Sequence, residues 1–379
     1  MTRLPVLDAE ITARADSYFN RTRAIVTHFG DAIVTYAIFL RRPVVSAPGL
    51  MLEWVRGVAQ ARGQHLDIEL PHQEGEWVGA GEPLVYLTGS FAFLANLETL
   101  LLQKIGAACV AAHNAFQMAV ALPKTAFMAM DARHCAGAEM QESMAYACAV
   151  GSRAAQRYGA VGFVGNANDW TAHYFGAATG FGTMPHALIG YAGSTVRAAE
   201  MFVETFPGEA LTVLVDYFGH EVSDTLEVCR RFPKMAQAGQ LSVRLDTHGG
   251  RYMQQLGPQE SYAVLERHAP EALRRYRSQR ELGYLIGTGV SAAALWKLRE
   301  ALNEAGFPAV KLVASSGFGV EKCSVMADAK APIDLVGTGS FIPEIWSETY
   351  ATADIVAYDG VARVKVGREF LLRNQKAKS

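Results

Sequence analysis

The sequence has no Cys-x-x-Cys pair, no tandem repeat, no low-complexity stretch and no marked excess of charge of either sign. Its five cysteines, Cys109, Cys135, Cys148, Cys229 and Cys323, are scattered, which argues against a zinc knuckle or a disulfide framework and fits a reducing compartment. Thirty-five Lys and Arg nearly cancel thirty-seven Asp and Glu. Nothing therefore draws the chain toward nucleic acid or an anionic membrane, and small molecules are the expected partners. The opening stretch "MTRLPVLDAEITARADSYF" mixes charges throughout and lacks an apolar core of signal-peptide length, so a cytoplasmic location is expected. The longest uncharged run, Ile105 to Pro123, is rich in alanine and interrupted by His113, Asn114 and Gln117. It reads as a buried helix of a soluble protein, not as a membrane span. Also missing are Gly-x-x-x-x-Gly-Lys-Ser/Thr, a Gly-x-Gly-x-x-Gly opening a helix, Gly-x-Ser-x-Gly and His-Glu-x-x-His. Kinase-like P-loops, Rossmann dehydrogenases, α/β-hydrolases and zincins lose support accordingly.

What is present is enough apolar material, half of 379 residues, for one large domain or two ordinary ones. The first hundred residues mix short strands with turns, and His72 to Gly89 alternates glycines with brief apolar runs. From about Thr212 the pattern becomes strand-like runs separated by helical segments: "TVLVDYF", "LSVRLD", "LGYLIGTG", "AVKLVASSG" and "IDLVGTGS". A helix is expected after an N-cap at Ser291, with Leu295, Leu298 and Leu302 on one face and a stop at Gly306. Strand then helix, repeated, with Gly, Ser and Asp gathered where strands end, predicts a parallel sheet with its ligand site on the carboxyl edge; a doubly wound sheet is one arrangement, and an irregular TIM-like α/β barrel explains the spread of polar strand ends better. The tail "ARVKVGREFLLRNQKAKS" reads as a strand with a basic, frayed end.

Two glycine-rich turns, Ala314 to Gly319 and Val336 to Ser340, each follow an apolar strand. Glycines let backbone N–H groups approach a phosphate, and two such turns in succession suit a phosphate site at the end of an α/β barrel. Other strand ends carry Asp216 and the group Arg244, Asp246 and Arg251. These side chains suit ribose hydroxyls, hydrated Mg²⁺ or phosphate, and equally a set of rim salt bridges. In "FGTMPHALIG" a single histidine, His186, follows a glycine turn, where it can serve as base, ligand or phosphoacceptor.

Taken in order, "ADSYFNRT", "GEPLVYLTG", "NLETLLL", "DARH", "GNAN", "GTMPH", "VDYF", "RLDT", "ASSGFG" and "VGTGS" resemble the nicotinate phosphoribosyltransferase family of type II phosphoribosyltransferases over nearly the whole chain. The resemblance implies transfer of a phosphoribosyl group from phosphoribosyl pyrophosphate to the ring nitrogen of nicotinate in NAD salvage, with Mg²⁺ as cofactor and ATP as co-substrate. It implies a small β-rich α+β domain, residues 1–115 with 350–379, beside the barrel, residues 116–349, and a homodimer or higher homo-oligomer. By the same resemblance His186 is the phosphoacceptor, and Asp216 and Asp246 complete the catalytic set, with Arg244 contacting ribose or pyrophosphate. Arg133 addresses the pyridine carboxylate or a phosphate, Tyr18 stacks on the ring across a dimer interface with Arg21 nearby, and Asn168 and Thr183 belong to the substrate site. Ser315, Gly317, Gly319, Gly337, Thr338, Gly339 and Ser340 match the 5′-phosphate cradle, and no residue is singled out as a metal ligand.

The departures bear on specificity. Met130-Asp131 replaces a Phe-Gly pair, "DTHGG" lacks a second carboxylate, and Gly219 and Ala167 stand where nicotinamide-type relatives carry Asp. Losing an acceptor for an amide, and a charge that repels an acid, favours nicotinate over nicotinamide. Quinolinate, with two carboxylates, calls for a denser Arg/Lys cluster than "DARH" supplies and is the runner-up substrate. Two other readings are a phosphate-binding aldolase or isomerase using Lys311 as a Schiff base, and a non-catalytic sensor of phosphoribosyl pyrophosphate or NAD precursors.

Overall fold

A computed structural model describes residues 8–182, 184–344 and 348–372. In chain order its strands are β1 (Ile33–Phe39), β2 (Val44–Val45), β3 (Leu66–Glu69), β4 (Trp77–Val78), β5 (Pro83–Ser90), β6 (Ala126–Ala129), β7 (Gly162–Asn166), β8 (Leu211–Leu214), β9 (Leu241–Leu245), β10 (Lys311–Ala314), β11 (Leu335–Thr338), β12 (Thr352–Tyr358) and β13 (Val361–Ala362). The chain divides into two units, Met1–Phe116 with Cys135–Ala154 and Ile342–Ser379, and Gln117–His134 with Ala155–Phe341. The sequence reading did not place residues 135–154 with the termini. Their attachment has a local cause: a Cβ on Gly151 would collide with the carbonyl of Ala112, so helix Ala138–Gln156 runs in backbone contact with helix Phe91–Ala121. Tyr146 of the same helix accepts a hydrogen bond from Gly49 N at 2.6 Å.

The first unit holds an antiparallel sheet ordered β13-β12-β1-β5-β3. Six of the seven residues of β1 are buried, as suits a strand in the interior of its sheet. Helix Phe91–Ala121 is long and apolar enough to cross a membrane by length and composition, yet 67 % of its most apolar window is buried inside the protein. It contains most of the uncharged run read as a buried helix. The C-terminal run "ARVKV…" is not one strand: β12 precedes it, β13 is two residues long, and a single helical turn spans Glu369–Leu371.

Glu98, on the long helix, is mostly buried, and burial pushes its carboxyl up to about 7, with the Tyr36 hydroxyl pulling the other way and Asp354 and Asp16 adding to the rise. A carboxyl raised above its unfolded value contributes stability that is complete below that value and lost as pH rises through about 7. We expect the melting temperature of the wild type to fall relative to Glu98→Gln between about pH 5 and about pH 8, by the equivalent of at most about 3 kcal/mol. Parallel curves for the two proteins in a pH series of thermal melts would contradict this.

The second unit is built on six parallel strands ordered β7-β6-β11-β10-β9-β8. The end strands, β7 and β8, are consecutive in the chain, and β11 pairs with β6. Arranged as a ring the order is therefore 6-7-8-9-10-11, an α/β barrel with one unpaired seam between β7 and β8 among the described residues. All six carboxyl ends then fall on one edge. Helix Ala292–Glu304 forms as expected, with Ser291 capping Ala294 N. The run "LGYLIGTG", however, is not a strand; residues Gln279–Ile286 are helical. Ser278 and Glu281 form a reciprocal capping box and Leu285 is the buried residue of the helix, so local capping and a single apolar stripe prevail over the look of a continuous apolar run.

Candidate active site

The carboxyl ends of β6, β9, β10 and β11 enclose a cleft of about 230 Å³. After β6 come Met130, Arg133 and His134; β9 supplies Arg244 and, just beyond it, Asp246; the turns after β10 and β11 supply Ser315 to Phe318 and Gly339 with Ser340, alongside Gly337 and Thr338. The fold thus gathers nine sequence-derived site residues: Arg133, Arg244, Asp246, Ser315, Gly317, Gly337, Thr338, Gly339 and Ser340. Gly319 is set back from them, capping helix Val320–Asp328 and lying against Phe341.

The cleft floor is held by a connected set of hydrogen bonds. Arg244 Nε donates to Ser315 Oγ at 2.9 Å and its Nη2 to Asp246 Oδ2 at 3.0 Å. Ser315 N donates to Leu245 O at 3.0 Å, and Thr338 Oγ1 to Phe318 O at 3.0 Å. Against this fixed frame, the backbone N–H groups of Ser316, Gly317, Gly339 and Ser340 have no protein acceptor among the described residues and border the cleft. Backbone N–H groups left without a protein acceptor along a cleft, beside the start of a helix, suit an anion. Arg133 stands exposed at the cleft and joins no ion pair among the described residues. Burial, together with that guanidinium, pushes the pKa of neighbouring His134 down.

A second group stands at the end of β8. His186, the first residue of helix His186–Ala192, has Nε2 at 3.0 and 3.2 Å from the carboxylate oxygens of Asp216. Asp216 is 8 % exposed while the His186 side chain is 45 % exposed. Burial pushes the Asp216 carboxyl above its ordinary value, the His186 hydrogen bond opposes this, and the charge of Asp246 adds to the rise. That last effect couples the pair to the cleft. Behind it, Arg251 Nη2 donates to Asp216 O at 2.9 Å and lies 2.5 Å from Glu221 Oε1. Glu221 is fully buried, and also accepts from Thr247 Oγ1 at 2.9 Å and Gln254 N at 3.0 Å.

The remaining expected residues lie elsewhere. Asn168 Oδ1 accepts from Thr171 N at 3.2 Å and Thr171 Oγ1 at 3.1 Å, committing that oxygen to the turn after β7. Tyr18 and Arg21 belong to the first unit, on helix Ser17–Phe29, where Tyr18 is 61 % exposed. Thr183 lies outside the described residues. Lys311 is exposed at the amino end of β10, opposite the edge that carries the cleft, so the aldolase reading loses its base. Three participants were not singled out from the sequence: Ser316, Glu221 and Lys322. Lys322 is 5 % exposed and its Nζ donates to Ser316 O at 2.7 Å. The available signal was its place one turn into the helix after "ASSGFG".

The chain matches no protein-family model and no curated protein sequence. Among solved structures, nicotinate-nucleotide pyrophosphorylase from Pyrococcus furiosus superposes with a TM-score of 0.68 at 22 % identity, over 97 % of this chain and 81 % of that one. Human nicotinic acid phosphoribosyltransferase gives 0.58 at 15 % identity, over 92 % and 75 %. Nicotinate-nucleotide pyrophosphorylase from Ehrlichia chaffeensis gives 0.54 at 14 % identity, over 92 % and 95 %. The likeness is one of fold: a parallel α/β sheet with an accompanying antiparallel sheet.

Proposed function

We propose that this chain is a phosphoribosyltransferase that joins nicotinate to phosphoribosyl pyrophosphate, giving nicotinate mononucleotide and pyrophosphate. The observation that carries the reading is the set of four backbone N–H groups that have no protein acceptor among the described residues and belong to residues bordering the cleft at the carboxyl edge, a ready place for a sugar phosphate. The pyridine nitrogen is already a nucleophile. Its lone pair forms the bond to C1′ as the C1′–O bond to pyrophosphate breaks, so no general base is required. The protein's task is to hold the two reactants in line and to stabilise positive charge building on the ribose. Asp216 and Asp246, whose charges interact, are suited to that charge and to the ribose hydroxyls.

Among the described residues no three His, Cys, Asp or Glu side chains converge as a metal cluster. Mg²⁺ commonly binds through one or two carboxylates and substrate phosphates, and Asp216 with Asp246, whose charge adds to the rise of the Asp216 carboxyl, fits that pattern. When bound, Mg²⁺ would neutralise the departing pyrophosphate. ATP coupling is assigned to His186. With Nε2 engaged by Asp216, Nδ1 carries the free lone pair; it forms the bond to the γ-phosphorus as the bond to ADP breaks. Nicotinate is preferred to quinolinate because Arg244 is engaged by Asp246 whereas Arg133 joins no ion pair among the described residues, a match for one carboxylate. A homodimer completes the proposal, with exposed Tyr18 serving the neighbouring subunit's pyridine.

The test is direct: protein, phosphoribosyl pyrophosphate and Mg²⁺ are mixed with nicotinate or quinolinate, with and without ATP, and mononucleotide is measured. Formation from nicotinate alone is expected. Turnover of quinolinate instead would overturn the substrate assignment, and ligand binding by calorimetry without turnover would overturn the catalytic one. His186→Ala is expected to abolish ATP stimulation; stimulation that survives unchanged would remove the phosphoacceptor role.

A further inference from the structure

Lys322 lies behind the phosphate cradle rather than in it. Its ammonium donates to Ser316 O at 2.7 Å, sits 4.4 Å from the centre of the Phe318 ring and 5.7 Å from that of Tyr284, and is nearly closed off from solvent. Ser316 has φ of +77° and Gly317 of +65°, so the turn includes a non-glycine residue in the left-handed region. Such a conformation persists only where surrounding contacts hold it. No peptide bond among the described residues is cis. In a trans peptide the carbonyl and the following N–H point in opposite directions. With Ser316 O drawn inward to the ammonium, Gly317 N–H is turned outward, toward the cleft that Gly317 lines.

We propose that Lys322 is a positioning residue for phosphate: it fixes the Ser316–Gly317 peptide with its N–H toward the cleft and places a buried positive charge behind the bound anion. The proposal rests on reading the cleft as a phosphate cradle. Burial pulls the pKa of Lys322 down to about 8, opposed by Cys323 and Asp246, which leaves the ammonium largely protonated at neutral pH. A lysine present only to brace the turn would matter to stability first. A counter-charge matters to anion affinity first, because a buried charge is costly to the fold and its replacement by an apolar side chain is often tolerated.

The experiment titrates inorganic phosphate into wild type, Lys322→Met, Lys322→Gln and Lys322→Arg by calorimetry, with melting temperatures recorded with and without phosphate. The expected result is at least about tenfold weaker phosphate binding in Lys322→Met and Lys322→Gln, near-wild-type melting without phosphate, and partial recovery in Lys322→Arg. The phosphate-induced rise in melting temperature should shrink in the two neutral variants alone. Wild type that binds no phosphate would sink the cradle reading itself. Wild type that binds while Lys322→Gln binds equally well would leave the cradle standing and overturn the role of Lys322. Should Lys322→Met fail to fold, Lys322→Gln, which retains a donor for Ser316 O, decides the question.

Discussion

Gly339→Ala is expected to lower kcat/KM for phosphoribosyl pyrophosphate at least about 100-fold, about 2.7 kcal/mol of transition-state stabilisation. A Cβ at this position would overlap the carbonyl oxygen of Met130 and approach His134 Cδ2 to 2.8 Å. Neither strand can retreat: β11 pairs with β6, and Met130 N donates to Thr338 O at 2.6 Å. The backbone after Thr338 must therefore move, carrying with it the N–H groups of Gly339 and Ser340. Gly337→Ala is the control, because its Cβ would press on the flexible end of Met130, Cε at 2.8 Å and Sδ at 2.9 Å, with Ser315 Cβ in ordinary contact at 3.7 Å. A thioether can swing aside where a carbonyl cannot. Steady-state kinetics showing equal losses in the two variants, or a near-wild-type Gly339→Ala, would contradict the cradle geometry.

The contrast between Gly339 and Lys322 marks where sequence reasoning succeeds. A glycine-rich turn after an apolar strand is a local pattern, so "ASSGFG" and "VGTGS" were legible as cleft-forming segments, and parallel strand order then brought them together. Lys322 and Glu221 were illegible because their meaning lies in burial. Each stands on a helix of mixed polar and apolar residues, and only packing distinguishes a buried charge from a solvated one. Asn168 matched a motif, yet its side-chain oxygen serves a turn, a purpose short polar side chains share with binding. Lys311 could have been discounted from order alone, since it begins its strand and the site lies where strands end. "LGYLIGTG" shows the limit of apolar runs: without the Ser278–Glu281 cap in view, a short run does not separate strand from helix.

The buried ion pair behind Asp216 should respond asymmetrically to the loss of either partner. Arg251→Met strands the Glu221 carboxylate, which is fully buried, whereas Glu221→Gln strands a guanidinium whose side chain is 36 % exposed and can rehydrate. Arg251→Met is accordingly expected to cost about 3–5 kcal/mol of stability, and Glu221→Gln less, about 1–3 kcal/mol. Arg251→Met removes the hydrogen bond to Asp216 O and Glu221→Gln loosens it, and through that bond each loosens the seat of His186. ATP stimulation should fall in both at temperatures where each remains folded. Denaturant melts, paired with activity at low temperature, test the two halves separately: equal destabilisation of the variants would refute the asymmetry, and unaltered ATP stimulation would refute the link from Glu221 through Arg251 to the histidine.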